Sequence, residues 1–174
     1  MATWTPENVV DIFATIFAGC SIFAVFYQIR ESLKWNRKKC AEEALTRFSS
    51  GDIFKKIEFI ESKYNWAILK EDKNYEQMIT KLNKTEIEEL DSILKDIFRN
   101  LETVAIKMDH KVIDEEICFD YMFSILTNFH RKCGSFIKKI SEERKEPHLY
   151  EHVAIYGEKW HKRCLHKKYH RHKT

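Results

Sequence analysis

Glycine and proline are scarce in this 174-residue chain, with four and two copies. So few helix breakers argue for long helices joined by short loops. No stretch alternates polar and apolar residues for long enough to suggest a sheet. Catalytic signatures are missing as well: there is no Gly-rich phosphate loop and no G-x-S-x-G elbow. The five cysteines (Cys20, Cys40, Cys118, Cys133 and Cys164) are odd in number and hold no C-x-x-C pair. They read as reduced thiols used in packing. Residues 1–11 contain no Lys or Arg, and no charged residue lies between Ile12 and Tyr27.

That gap in charge defines the longest apolar run, "VVDIFATIFAGCSIFAVFYQI", Val9 to Ile29. Its length matches the roughly 20 residues needed to cross about 30 Å of hydrocarbon. Phenylalanines and isoleucines point in several directions, whereas a core helix of a small globular domain carries a polar stripe. A secretory leader would begin with positive charge, and none is present. Phe17-Ala18-Gly19-Cys20 looks like a lipoprotein cleavage box, but the run stays apolar to Ile29. The expectation is a retained transmembrane helix. Arg30, Lys34, Arg37, Lys38 and Lys39 follow at once and fix those basic residues on the cytoplasmic side. Trp4 and Tyr27 suit the two interfaces. The expected organisation is a short external N-terminus (1–8), a transmembrane helix (9–29), a cytoplasmic bundle (30–160) and a basic His-rich tail (161–174). The expected location is a bacterial inner membrane, single-pass, with the N-terminus outside.

Asp11, Ala14, Ala18, Ser21, Val25 and Gln28 recur at spacings of three and four, one stripe of the helix. It gathers the charge, two polar residues and small alanines, while the bulky residues mostly lie off it. In lipid, small and polar side chains turn toward other helices or water. One helix cannot satisfy the stripe alone, so copies of it, or a partner protein's helix, are expected to meet there.

The expected fold class is all-α: the transmembrane helix continues into a bundle of four to five helices. Nothing breaks the chain before Ser49-Ser50-Gly51. Ile53, Ile57, Ile60 and Tyr64 mark a second helix, and "YEQMITKL" a short one. Thr85-x-x-Glu88 has the form of a capping box. Behind it Ile87, Leu90, Leu94, Ile97, Leu101, Val104 and Met108 form the clearest periodic stripe, widened by Ile93, Phe98 and Ala105. "DHKV" ends that helix and Asp114 caps the next, expected to run unbroken through Arg144 with Ile117, Tyr121, Ile125, Phe129, Phe136 and Ile140 inward. Pro147 suits the first turn of a last helix, whose inner face takes Leu149, Val153, Tyr156 and Trp160.

Two motifs suggest chemistry. His148-x-x-Glu151-His152 matches the H-x-x-E-H zinc pattern, but a third ligand has no counterpart in the sequence, and neither metal nor cofactor is expected. Lys159–Thr174 carries seven Lys or Arg and four His among Trp160 and Tyr169. Three occupations compete for Lys162, Arg163, Lys167, Lys168, Arg171 and Lys173: anionic lipid, nucleic-acid phosphates, or solvent alone. Asp114, Glu115 and Glu116 crowd a helix start and complement its dipole.

Asn100–Met108, Ile113-Asp114-Glu115-Glu116, Phe119–Phe136 and Trp160 together resemble a bacterial family of small membrane-anchored helical proteins of unknown function. The resemblance implies an anchor and a bundle and supplies no catalytic residues. Lys63–Lys84 and the His-rich tail depart from it. The expected function is association without catalysis. Homo-oligomers would bring the stripes together, as in a membrane-permeabilising effector of a toxin or antiphage system. The alternatives are an adaptor holding a partner protein on the bundle, and a lipid- or nucleic-acid-binding tail.

Overall fold

The computed structural model describes the backbone of residues 6–64 and 74–171, and the side chains of 17–165 apart from 47, 50 and 65–74. Among the described residues there are seven helices and no strand: α1 (Pro6–Ser50), α2 (Asp52–Tyr64), α3 (Asn74–Ile79), α4 (Lys84–Asp109), α5 (Glu115–Lys132), α6 (Gly134–Arg144) and α7 (Glu151–Arg171). The chain is all-α, with six helices following α1 instead of four to five. The expected "KEDKN" turn lies mostly outside the described residues.

Helix α1 opens with Pro6 in its first turn, where the missing N–H costs nothing, and runs unbroken to the Ser50-Gly51 boundary. Among the described residues, no helix is long and apolar enough to cross a membrane. Only Phe17–Ile29 of the apolar run has described side chains, and Val9–Ile16 lies outside them. Burial in α1 begins at Cys40. Ala41, Leu45 and Phe48 then pack into the bundle, where α1 meets α2 and α5.

The α4 stripe is the spine of the core. Leu90, Leu94, Ile97, Phe98, Leu101, Val104, Ala105 and Met108 are all buried, between α2 on one side and α7 on another. Phe98 is a hub, its ring 5.9 Å from Phe136, 6.2 Å from Phe129 and 5.3 Å from Tyr150. The cap of α4 is Asn83 and not Thr85. The Asn83 carboxamide accepts from the Glu86 N–H at 3.0 Å, and the Glu86 carboxylate accepts from the Asn83 N–H at 2.9 Å. Asn83-x-x-Glu86 is an equally good capping box two residues earlier, so Thr85 falls inside the first turn.

The helix expected from Asp114 to Arg144 is two helices. Asp114 caps α5 as expected, accepting from the Glu116 and Ile117 N–H groups. Helix α5 stops at Cys133 (φ −117°, ψ 19°), where Gly134 lowers helix preference by about 1 kcal/mol. The break turns α6 onto α3, placing Phe136 5.2 Å from the ring of Tyr75. The inner face of α5 is Cys118, Phe119, Met122, Leu126 and Phe129. Tyr121, expected inside, is 73% exposed. Burial pushes the Cys118 thiol up to about 12 and the Cys133 thiol higher still, consistent with packing residues.

Pro147 precedes α7 instead of opening it. Lys145 (φ 56°) ends α6 in the left-handed region, and Tyr150 (φ 61°) adopts it again just before α7. Tyr150 tolerates this strain because its buried ring is held against Phe98. Val153, Tyr156 and Trp160 form the inner face of α7, as the spacing predicts.

Candidate functional site

The bundle leaves one large surface uncovered. Every described residue from Phe17 to Lys39 is exposed. Nine of them are large and apolar: Phe17, Ile22, Phe23, Val25, Phe26, Tyr27, Ile29, Leu33 and Trp35. The exposure runs around the whole helix, with Phe17 at 74% and Phe23 at 75%. The Ser21 hydroxyl donates to the Phe17 carbonyl at 2.8 Å, so its polarity is partly satisfied within the helix.

Successive helix residues turn by about 100°. Ser21 and Val25 therefore lie on roughly the opposite side of α1 from Ala41, Leu45 and Phe48. Ala18 and Gln28 share that outward side. Asp11 and Ala14 belong to the α1 backbone, but their side chains lie outside the described residues. The described part of the stripe, Ala18 to Gln28, thus faces away from the chain's own bundle, a relation that emerges once the packed end of α1 is known. Arg30, Lys34, Arg37 and Lys38 fall on the other side, above the packed residues, and Lys39 falls on the stripe side. All five are exposed.

The tail cations divide. Lys162 reaches Glu158 at 3.1 Å, one turn earlier. Arg163 is held by the Glu116 carboxylate, and its guanidinium lies 4.0 Å from the Phe119 ring centre. Lys167, Lys168 and Arg171 belong to the α7 backbone, with side chains outside the described residues, and Lys173 lies outside altogether. No break in α7 separates the tail from the bundle.

The acidic start of α5 does more than complement a dipole. Glu115 accepts from Lys159 Nζ at 2.6 Å and from the buried Trp160 indole at 3.1 Å, and Glu116 holds Arg163. Ile113 is buried and Asp114 caps the helix. Glu115 and Glu116, positioned by the Asp114 cap, therefore form a structural clamp on α7.

His148 and His152 do not share a helical face, because α7 starts at Glu151. His148 Nδ1 lies 3.1 Å from Glu151 and His152 Nδ1 lies 2.8 Å from Glu102. Among the described residues no three His, Cys, Asp or Glu side chains gather to hold a metal.

Sequence reasoning missed Glu102, whose carboxylate also accepts from the His152 and Val153 N–H groups at 3.2 and 2.9 Å. It missed Tyr75, Asp91 and Lys139 too. Tyr75 donates to Asp91 at 2.6 Å, and Lys139 donates to both at 2.8 Å. Burial and Asp91 push the Tyr75 hydroxyl up to about 12. Burial draws the Lys139 ammonium down, but its bonds to Asp91 and Tyr75 outweigh this and raise it. These residues sit on three separate helices, and local spacing carries no trace of them. An apolar cleft of about 280 Å³, lined by Leu45, Phe48, Phe54, Tyr121, Met122 and Ile125, opens between α1, α2 and α5.

No curated protein and no solved structure matches the chain. A family described as a domain of unknown function, DUF4760, matches residues 15–160. The match begins inside the apolar part of α1, takes in the clamp, and ends at Trp160, the residue that the clamp holds. The chain belongs to the DUF4760 family.

Proposed function

We propose that this is a membrane-anchored helical protein that acts by self-association, with the apolar run of α1 in lipid and the α2–α7 bundle on the cytoplasmic side of a bacterial inner membrane. The observation that carries the proposal is the ring of exposed apolar side chains from Phe17 to Trp35. Covering a large apolar side chain is worth about 1.5–3 kcal/mol. For nine of them, each half or more exposed, the sum is of the same order as the about 5–15 kcal/mol that holds a typical domain together. Such a surface calls for a cover, and lipid covers all sides at once. The basic residues that follow orient it. The outward stripe of Ala18, Ser21, Val25 and Gln28 is the face on which copies meet, and the bundles then lie outside the contact without clashing. In a sufficiently wide ring, Asp11, Ser21 and Gln28 line a path for water and ions, which makes the protein a membrane-permeabilising effector.

The test is the oligomeric mass of the full chain in mild detergent. Wild type is expected to be oligomeric, and the pair Ala18→Ile and Ser21→Ile to be monomeric with an intact helical spectrum. A monomeric wild type overturns self-association. A second reading, an adaptor, is favoured by the apolar cleft beside Phe54 and Tyr121. It predicts that partner capture survives Asp11→Leu with Ser21→Leu while any ion leakage of wild type is lost.

A further inference from the structure

We infer that the basic side of α1 is a binding site for anionic phospholipid headgroups. This rests on the membrane-anchor proposal above and names the lipid that the anchor selects. Arg30, Lys34, Arg37 and Lys38 fall within about 100° of arc on one side of the helix, and all four are exposed. The nearby anion, Glu31, is taken by Lys34 at 2.6 Å. Among the described residues, Arg30, Arg37 and Lys38 have no ion-pair partner, so the side carries a net positive charge that its own fold leaves uncompensated.

The position along the helix points to lipid and not to another polyanion. At 1.5 Å per residue, Arg30 and Lys34 lie within about 8 Å of the apolar boundary at Ile29, the depth of the headgroup layer, and Arg37 and Lys38 lie a few ångströms beyond it, within a Debye length of the anionic surface. Tyr27 and Trp35, both exposed, bracket the same level, where aromatic rings favour the interface. The basic side also faces away from the self-association stripe. In an oligomer these cations point outward to surrounding lipid instead of repelling one another across the contact. Phosphodiester headgroups with net negative charge complement them, and zwitterionic headgroups do not.

The experiment uses the full chain in vesicles of phosphatidylcholine alone and of equal parts phosphatidylcholine and phosphatidylglycerol. Flotation reports anchoring, and the lipid that co-purifies after mild solubilisation reports selection. Wild type is expected to float with both vesicles. The ratio of phosphatidylglycerol to phosphatidylcholine in the co-purified lipid should rise severalfold above the one-to-one ratio of the vesicle, since each cation near an anionic surface favours the anionic lipid by about fivefold. The enrichment should vanish in high salt and in the variant Arg30→Gln, Lys34→Gln, Arg37→Gln, Lys38→Gln, which still floats. Co-purified lipid at the bulk ratio in wild type overturns the inference and leaves the anchor standing. Enrichment unchanged in the variant also overturns it and moves the site to the tail cations, which the variant retains. Failure of wild type to float with either vesicle overturns the anchor and, with it, the site.

Discussion

At the scale of single residues, His130 is a tightly enclosed polar group. Its Nδ1 is buried without a hydrogen-bond partner, and its ring lies so close to Gly157 that a Cβ there would meet it at 2.7 Å. Burial lowers its pKa below the ordinary histidine value, Arg131 and His161 lower it further, and Glu158 opposes them. Those three are the charged or titratable groups that face it from α5 and α7. The neutral ring is thus favoured by folding, and the unfolded chain binds the proton at higher pH. Stability from this site is complete above about pH 6.5 and is lost as pH falls toward the folded pKa. Melting temperature is expected to drop from neutral to mildly acidic pH, with a shallower slope for His130→Gln. Equal slopes in the two proteins would show that His130 is not the group responsible.

At the scale of elements, α7 is held to α4 and α5 by polar contacts along its described length. Glu102 reaches from α4 to its first N–H groups, where a carboxylate also complements the helix dipole. Glu115 and Glu116 hold it farther along. Truncating Glu102 leaves the half-buried start of α7 uncapped, so Glu102→Ala should cost about 1–3 kcal/mol in urea unfolding. Glu102→Gln keeps an acceptor and should cost less. Equal stability of Glu102→Ala and wild type would show that α7 needs no such cap. The H-x-x-E-H motif dissolves at this scale: placing its two histidines on one face needed α7 to begin at Pro147, and the left-handed Tyr150 delays it to Glu151.

At the scale of the whole molecule, the chain divides where burial begins, at Cys40. Below that point Ala41, Leu45 and Phe48 belong to the core, and none of the described side chains above it, Phe17 to Lys39, does. A chain starting at Lys39 is expected to remain helical, monomeric and dispersed without detergent, whereas the full chain needs detergent or lipid. Circular dichroism and light scattering on both decide this. A truncated chain that loses its cooperative melt would show that the leader contributes to the bundle.

Much of the helical layout was legible in the residues because its causes are local. The α4 stripe, the Asp114 cap, the long run of α1 and the inner face of α7 follow from periodicity and from side chains bonding backbone three positions away. The same locality limits what could be read. Thr85 and Asn83 both fit a capping box, and the choice between them falls to the geometry at the start of α4. The break at Cys133, the exposure of Tyr121 and the delayed start of α7 serve packing against helices distant in sequence. The Tyr75–Asp91–Lys139 cluster and the Glu102 cap join residues that no spacing relates. Even the stripe of α1, visible as a pattern, acquired a direction only when the packed residues below it fixed which side the bundle occupies. Sequence alone set which segments are helical and which of their surfaces are apolar, since those depend on near neighbours; tertiary structure decided where α5 breaks, where α7 begins and which surfaces stay uncovered, since those depend on what the rest of the chain can reach.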